Sequence, residues 1–267
     1  GVRHTGGQYV AFRSEALGDW FGFWQPCPAG RGPLLLHVPG YGAEMSAHPE
    51  LVADGYNVLH ISPLGYATPS GPDESKREDE AWPVLPDTDL SAGERGYLDW
   101  LAHAAAASLW ARNQDCVDPG RVSFFGTSQG GGTALLLGSI FRNRGVRAVA
   151  ADVPFLTNFP MALGAANPGA YGLVTGHLTE IERERPDESA AIWKALGHAD
   201  TISHAHRLTM PVLLTAGTED EACPVPHIVS LFEMLPGTRS YTELSGQGHA
   251  YTQPFLHLAR AWFRLYV

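Results

Sequence analysis

Residues 122–132 read VSFFGTSQGGG, the most informative stretch of the sequence for its architecture. The apolar run from Val122 predicts a buried strand, and the small and apolar residues after Gln129 predict a helix. Ser128 therefore stands in a tight turn between the two elements. A serine flanked by glycines in a strand–turn–helix context is typical of a nucleophile elbow, in which the turn raises the hydroxyl above the sheet. Ser128 is the candidate nucleophile; the alternative is a glycine-rich turn with an idle serine.

Strands alternate with helices on both sides of this turn. The aromatic-rich runs Tyr9–Arg13 and Trp20–Gln25 predict an antiparallel strand pair. The further predicted strands are Leu34–Val38, Val58–Ile61, Val122–Gly126, Val146–Val153, Pro211–Ala216 and Arg239–Leu244. The predicted helices are Ala47–Ala53, Ser91–Arg112 with a Ser91/Glu94 capping box, Gln129–Asn143, Pro226–Leu235 and Pro254–Tyr266. Such alternation predicts an α/β fold with a mostly parallel sheet covered by helices on both faces.

The segment Phe155–Arg207 interrupts this alternation with Asn, Pro and Gly residues and a helical stretch around Ser189–Leu196. We predict that residues 155–207 form a cap or lid inserted after a strand. The sequence contains no internal repeat and no linker that would divide it, so residues 1–267 are predicted to form a single domain.

A serine nucleophile needs a base, and the base needs a carboxylate to orient it. In strand–elbow–helix enzymes the order along the chain is serine, acid, histidine. His249 follows the last predicted strand in a glycine-rich loop and is the candidate base. Asp220 follows the predicted strand Pro211–Ala216 and is the candidate acid. Its rivals are the neighbours Glu219 and Glu221, and Asp152 at the end of the preceding strand.

An ester carbonyl that is attacked by serine develops a negative charge, which two N–H donors must stabilise. One predicted donor is the amide of Gln129, directly after the nucleophile. The second should come from the loop after Leu34–Val38, which reads Pro39-Gly40-Tyr41-Gly42. Pro39 has no N–H, so Tyr41 or Gly42 remains, and the Tyr41 amide is favoured. The alternative for this loop is an ordinary Gly/Pro turn.

Composition excludes several classes of function. The chain has 18 Lys and Arg against 28 Asp and Glu, a formal charge of −10, with no basic cluster, which excludes nucleic acid and anionic membranes as expected partners. No apolar run is long enough for a membrane span, and no signal peptide is visible. Three cysteines without a CxxC pair predict neither a disulfide framework nor a metal site. We therefore expect a cytoplasmic protein, although the start at Gly1 leaves a removed leader open.

The sequence resembles the acetyl xylan esterase/cephalosporin C deacetylase family, carbohydrate esterase family 7 of the α/β hydrolases. The resemblance is carried by GTSQGGG at Gly126–Gly132, ADVPFL at Ala151–Leu156, DEACP at Asp220–Pro224 and the Gly40-Tyr41-Gly42 loop, with Leu196–Pro211 before the acid-bearing strand. It implies an α/β-hydrolase fold, a Ser128–His249–Asp220 triad and oxyanion amides at Tyr41 and Gln129. It also implies deacetylation of small acetylated sugars and related esters without a cofactor, and a homo-oligomer, since the family forms a hexamer.

Three positions depart from the family pattern. Ser62-Pro63-Leu64-Gly65-Tyr66 stands where the family carries Arg-Gly-Gln, Ala250 follows the base where the family has Glu, and Pro39 replaces a histidine. The chain is also shorter than typical members. The resemblance therefore indicates the fold and triad more strongly than the substrate.

The candidate lining residues of an acyl pocket are Pro154, Phe155, Phe159 and Tyr171, with ordinary core positions as the alternative. The sequence predicts a serine esterase that hydrolyses short-chain, in particular acetyl, esters. The same triad would also serve an acyltransferase, a peptidase or a lactonase, since these differ in leaving group and acceptor. A non-catalytic binding protein is the remaining alternative, and the complete triad argues against it.

Overall fold

The computed structural model describes residues 6–73 and 97–267. Eight strands form one sheet in the order β1-β2-β4-β3-β7-β8-β9-β10. Their bounds are β1 Gln8–Ser14, β2 Gly18–Gln25, β3 Gly32–Val38, β4 Asn57–Ser62, β7 Val117–Thr127, β8 Val146–Asp152, β9 Val212–Gly217 and β10 Arg239–Leu244. Two-residue strands β5, Ala67–Thr68, and β6, Gly71–Pro72, form a small separate hairpin. The β1–β2 and β2–β4 pairs are antiparallel and the other pairs of the large sheet are parallel, as the sequence predicts.

Helices cover this sheet. Their bounds are α1 Pro49–Ala53, α2 Tyr97–Arg112, α3 Gln129–Ile140, α4 Gly172–Glu184, α5 Pro186–Gly197, α6 Thr201–His204, α7 Val225–Met234 and α8 Gln253–Tyr266. The capping box predicted at Ser91 and Glu94 lies outside the described residues. None of the helices in the described ranges combines the length and the apolar character needed to cross a bilayer.

The apolar side chains of the central strands form the hydrophobic core on both faces of the sheet. The strands β3 and β4 are buried along their whole length because helices cover both faces of the sheet there. Leu34, Leu36 and Phe124 pack in a large cluster on one face, and Leu35, Phe125 and Phe263 pack on the other. The alternation of faces along β3 follows from the two-residue repeat of a strand. The predicted α/β-hydrolase architecture is confirmed.

The chain between β8 and β9 contributes most of a second core cluster, which Tyr97, Leu136 and Cys223 complete. Aromatic residues pack here at 4.6–5.8 Å between ring centroids, the members being Phe155, Phe159 and Tyr171. The helices α4 and α5 cover them with Leu178, Ile181 and Ile192. This segment includes residues 155–207, for which the sequence predicts a cap, and it contains two helices, α4 and α6, that the sequence pattern does not predict. The role of the segment as a cap stays a prediction.

The strand β7 also differs from its prediction. The sequence predicts a turn at Asp118–Gly120 before a strand at Val122, whereas β7 already begins at Val117. The register against β3 jumps from Gly32↔Val117 to Leu34↔Val122, so the intervening residues bulge out of the ladder. The Asp118 carboxylate accepts the Gly120 amide at 3.0 Å and stabilises the bulge.

Candidate active site

Ser128 lies in a strained turn between β7 and α3. Its φ of 57° and ψ of −124° fall outside the regions that non-glycine residues favour. The strand and helix meet so closely that side chains are excluded beside it. A Cβ on Gly126 would lie 2.3 Å from the Val38 carbonyl oxygen, and one on Gly130 would lie 2.0 Å from the same atom. These contacts explain why glycines stand two residues before and two residues after the serine.

Three predicted residues from distant parts of the chain form one hydrogen-bonded series. The Ser128 hydroxyl lies 2.8 Å from Nε2 of His249, and Nδ1 of His249 lies 2.8 Å from Oδ2 of Asp220. The His249 ring therefore connects the hydroxyl to the carboxylate, with Nδ1–H donating to Asp220 and Nε2 free to accept the serine proton. His249 follows β10 and Asp220 follows β9, so both loops lie at the carboxyl edge of the sheet.

The Asp220 carboxylate is fixed by the backbone of its own loop. Its other oxygen, Oδ1, accepts the amides of Ala222 and Cys223, both at 2.8 Å. The rivals Glu219 and Glu221 are exposed, whereas the Asp220 side chain is fully buried. Burial raises the pKa of the Cys223 thiol well above its ordinary value, so this cysteine stays protonated and is a poor nucleophile.

Both predicted oxyanion donors lie beside Ser128. Gln129 is the first residue of α3, and the first amides of a helix have no partner within that helix. Tyr41 lines the same cavity as Ser128, in the loop after β3. The two candidate donors thus come from the loop after β3 and from the start of α3, and their role as oxyanion donors stays a prediction.

Ser128 opens into a cavity of about 420 Å³. Its walls come from the 39–46 loop and from the loop after the base; the lining residues include Pro39, Gly40, Tyr41, Glu44, Ser46, Ala250 and Tyr251. The four residues predicted to line an acyl pocket are not among them. Pro154, Phe155, Phe159 and Tyr171 are buried, the last three in the cap core. Aromatic residues near a motif pack in a core as readily as they face a ligand. The role of these four residues in an acyl pocket stays a prediction.

Asp152, the third rival acid, lies beneath the elbow. Its carboxylate accepts hydrogen bonds from Thr215 at 2.6 Å and from Thr127 at 3.2 Å, and its backbone oxygen accepts the Ser128 amide at 2.9 Å. Burial raises its pKa to about 7 despite these hydrogen bonds. Asp152 therefore supports the turn, while His249 bonds to Asp220.

The segment Ser62–Tyr66, which departs from the family pattern, is held by local hydrogen bonds. The Ser62 hydroxyl accepts the Ala67 amide at 2.8 Å, and Nδ1 of His103 accepts the Leu64 amide at 2.9 Å. The Tyr66 ring packs edge-on against Tyr41, with centroids 5.0 Å apart. This aromatic contact links the Ser62–Tyr66 segment to the loop after β3.

Three histidines that no sequence motif singles out converge beside the cavity. His37, His48 and His60 are buried, and one ring nitrogen of each lies within 4.8 Å of the other two. Burial lowers the pKa of His48 to about 4 and lowers that of His37 well below its ordinary value, so both rings are neutral at pH 7. The available signal was the matching position of His37 and His60 in two predicted strands, LLLHV and VLHI, which pair in register.

A family model described as acetyl xylan esterase matches residues 22–265 of the chain. The structure is similar to that of an acetyl xylan esterase from Paenibacillus sp. R4, with a TM-score of 0.77 and 19% identity, over 98% of this chain and 89% of that one. It is also similar to acetyl xylan esterase 1 from Thermoanaerobacterium sp. JW/SL YS485, with a TM-score of 0.64 and 20% identity, over 96% and 87% of the two chains. An acylaminoacyl peptidase from Pyrococcus horikoshii shares the fold at a TM-score of 0.66 and 16% identity, over 97% of this chain and 41% of that one.

Proposed function

The chain belongs to the acetyl xylan esterase family, and we propose that it hydrolyses short-chain esters, in particular acetyl esters of small molecules, with Ser128 as the nucleophile. The observation that carries this proposal is the hydrogen-bonded series Ser128–His249–Asp220, with both contacts at 2.8 Å. Such a series activates a serine hydroxyl, because the base is within reach of its proton and is itself oriented by a carboxylate.

The reaction follows from this geometry. His249 Nε2 takes the hydroxyl proton as Ser128 Oγ attacks the ester carbonyl, and the Tyr41 and Gln129 amides bind the resulting oxyanion. Asp220 stabilises the charged imidazole. The imidazolium then gives its proton to the leaving alcohol as the C–O bond breaks, which leaves an acylated Ser128. Water, deprotonated by His249, attacks this acyl-enzyme, and the carboxylate leaves as Ser128 recovers its proton.

The cavity supports a small substrate. Its volume of about 420 Å³ lies near the lower end of the range for small-molecule sites. Tyr41 and Tyr251 give it aromatic walls beside the serine, while Glu44 adds a carboxylate. A negative side chain there disfavours anionic substrates and is compatible with neutral acetylated compounds such as sugars.

The test is hydrolysis of p-nitrophenyl esters from acetate to octanoate. We expect activity to fall steeply beyond propionate and to vanish in Ser128→Ala, while Ser203→Ala, a change at an exposed serine, keeps wild-type turnover. A preference for the longer chains would contradict the acetyl-ester proposal and leave the nucleophile assignment intact.

A second measurement separates hydrolysis from the alternatives with the same triad. Added alcohol or amine acceptors should not divert the acyl group from water, and p-nitroanilides should be cleaved far more slowly than p-nitrophenyl acetate. Efficient transfer to an acceptor would identify an acyltransferase, and efficient anilide cleavage would identify a peptidase.

A further inference from the structure

Three histidine side chains meet at one point in the wall of the cavity. Nδ1 of His37 lies 2.8 Å from Nδ1 of His60 and 2.7 Å from Nε2 of His48. All three residues are nearly inaccessible to solvent: His37 is 3% exposed, His48 is 2% exposed and His60 is 1% exposed. They come from different elements, since His37 is on β3, His60 is on β4, and His48 directly precedes α1.

No placement of protons on the three rings turns both short nitrogen–nitrogen contacts into hydrogen bonds. The Ser46 amide, which can only donate, points at His60 Nδ1 at 3.4 Å, so this nitrogen carries a lone pair. If His37 Nδ1 carries a proton, that one proton cannot lie on the line to both His60 and His48. If it carries none, two lone pairs face each other at 2.8 Å. The Ser46 hydroxyl, 3.3 Å from His60 Nδ1, does not change the contact between the two rings. A cation between the three nitrogens would remove the repulsion, because each nitrogen could direct a lone pair at it.

The donor set selects the ion. Neutral imidazoles suit zinc and its transition-metal neighbours and not magnesium or calcium, which prefer oxygen. Tetrahedral zinc with bonds of about 2.0–2.1 Å separates its nitrogen ligands by about 3.3 Å. The two short contacts would therefore open by about half an ångström on binding, a movement within the reach of side-chain torsions.

The surroundings complete such a site. The Glu50 carboxylate lies 4.0 Å from Nδ1 of His48, the ring nitrogen that faces away from the cluster. A carboxylate behind a metal-binding histidine orients the ring and offsets the charge of the ion. His37 and His60 also line the cavity with Glu44, so the cluster lies next to the catalytic pocket.

We propose that His37 Nδ1, His48 Nε2 and His60 Nδ1 bind one zinc ion beside the catalytic cavity. The ion has a positioning function, because His37 and His48 bracket the loop 38–47, which carries the proposed oxyanion amide of Tyr41. Zinc at this place ties both ends of the loop to β4 through His60. The nucleophile remains Ser128, and zinc takes no part in bond breaking.

Zinc content tests the proposal directly, without any need for turnover. The full chain, prepared without a polyhistidine tag, is stripped with a chelator, incubated with excess Zn²⁺, desalted and measured by mass spectrometry of the metal. We expect one zinc per chain, and a rise in Tm with Zn²⁺ that Mg²⁺ does not reproduce. Wild-type protein that retains no zinc would overturn the proposal.

Variants then locate the ion. His48→Gln should weaken zinc binding at least about tenfold, while His257→Gln, a change at an exposed histidine, should bind zinc like the wild type. Equal affinity of His48→Gln and wild type would place the ion elsewhere, for instance on His249, and would overturn the assignment.

A measurement on unaltered protein guards against a His48→Gln variant that fails to fold. Co²⁺ in place of zinc should give the intense visible bands of a tetrahedral nitrogen site. The weak spectrum of octahedral, water-rich Co²⁺ would contradict the three-histidine site. Because none of these readouts involves ester hydrolysis, the zinc proposal and the proposed function can fail independently.

Discussion

Asp220 differs from its acidic neighbours in where its carboxylate lies. The Asp220 side chain is buried against His249, while Glu219 and Glu221 are exposed. We predict that Asp220→Asn lowers kcat for p-nitrophenyl acetate by a factor on the order of 10⁴, because the amide cannot hold the imidazole in its reactive tautomer. Glu221→Gln, the matched control, should stay within a factor of about two, since an exposed carboxylate contributes little at this range. An equal loss in Glu221→Gln would contradict the assignment of the acid.

Asp152, which lies beneath the turn that carries Ser128, makes the stability of the protein depend on pH. Burial raises the pKa of Asp152 from the ordinary 3.8 to about 7. Between these two pH values the carboxyl group is protonated in the folded protein and ionised in the unfolded chain. The contribution of Asp152 to stability is therefore fully present below pH 4 and is lost as the pH rises toward 7. We predict that the free energy of unfolding falls over this interval by up to about 4 kcal/mol more in the wild type than in Asp152→Asn.

Urea titrations at several pH values measure this difference. Asp118→Asn, a change at a partly exposed carboxylate in the bulge of β7, is the control and should follow the wild type. Parallel pH profiles for Asp152→Asn and wild type would show that Asp152 is ionised in the folded state, against the prediction.

At the level of elements, the close approach of α3 to the end of β3 depends on glycine. A Cβ at position 130 would meet the backbone oxygens of Val38 and Pro39 at 2.0 and 2.3 Å, and backbone cannot move aside cheaply. We predict that Gly130→Ala destabilises the protein by about 3 kcal/mol in urea denaturation, the upper part of the usual range for overpacking.

A glycine in another helix supplies the matched comparison. Gly176 lies within α4 and is exposed, and a methyl group in place of its hydrogen would meet no atom within 4 Å. Gly176→Ala should therefore stabilise the protein by about 0.5–1 kcal/mol through helix propensity. A similar loss of stability in both variants would contradict the prediction. It would mean that the position within a helix, and not the close approach of the Val38 backbone, causes the destabilisation.

The sequence predicted the elements that have one clear physical signal. Buried strands such as β3 and β4 are continuous apolar runs, and the elbow combines glycines with a strand–turn–helix pattern. The helix α4 was missed because Gly172 and Gly176 weaken its helical pattern. The bulge in β7 was read as a turn because Asp-Pro-Gly has the same local chemistry in both structures.

At the scale of the whole molecule, an ion-pair cluster joins the end of α1 to the last helix, α8. Asp54, directly after α1, bonds to Arg260 and Arg264 on α8, with contacts of 2.7 and 2.6 Å. The Arg260 hydrogen bond is the main cause that lowers the pKa of Asp54 to about 2. The stabilisation is therefore present above pH 4 and is lost as the pH falls through 2.

We predict that Asp54→Asn lowers Tm at pH 7 by about 2–4 °C, and that the difference from wild type shrinks toward pH 2. Asp19→Asn is the matched control, because Asp19 forms an exposed pair with Arg13 at 3.8 Å and should change Tm little. Calorimetry across pH measures both. A deficit in Asp54→Asn that persists unchanged at pH 2 would exclude the ion pairs as its cause.

The order of residues along the chain predicts the catalytic triad, but it does not predict the walls of the cavity. Ser128, Asp220 and His249 follow a fixed order and stand after strands, so their meeting was predictable across 121 residues of separation. The cavity walls come from loops, whose paths depend on tertiary packing and carry no periodic signal. For the same reason the approach of the loop residue His48 to the strand residues His37 and His60 became visible only in three dimensions.

The Ser128–His249–Asp220 series predicts that Ser128 carries the acyl group. The most direct measurement is the mass of the intact protein after incubation with a serine-directed phosphonate, with the adduct located by peptide sequencing. We predict a single adduct on Ser128, its absence in Ser128→Ala, and loss of p-nitrophenyl acetate hydrolysis in step with labelling. An adduct at another residue, or full hydrolysis by the labelled protein, would contradict the claim.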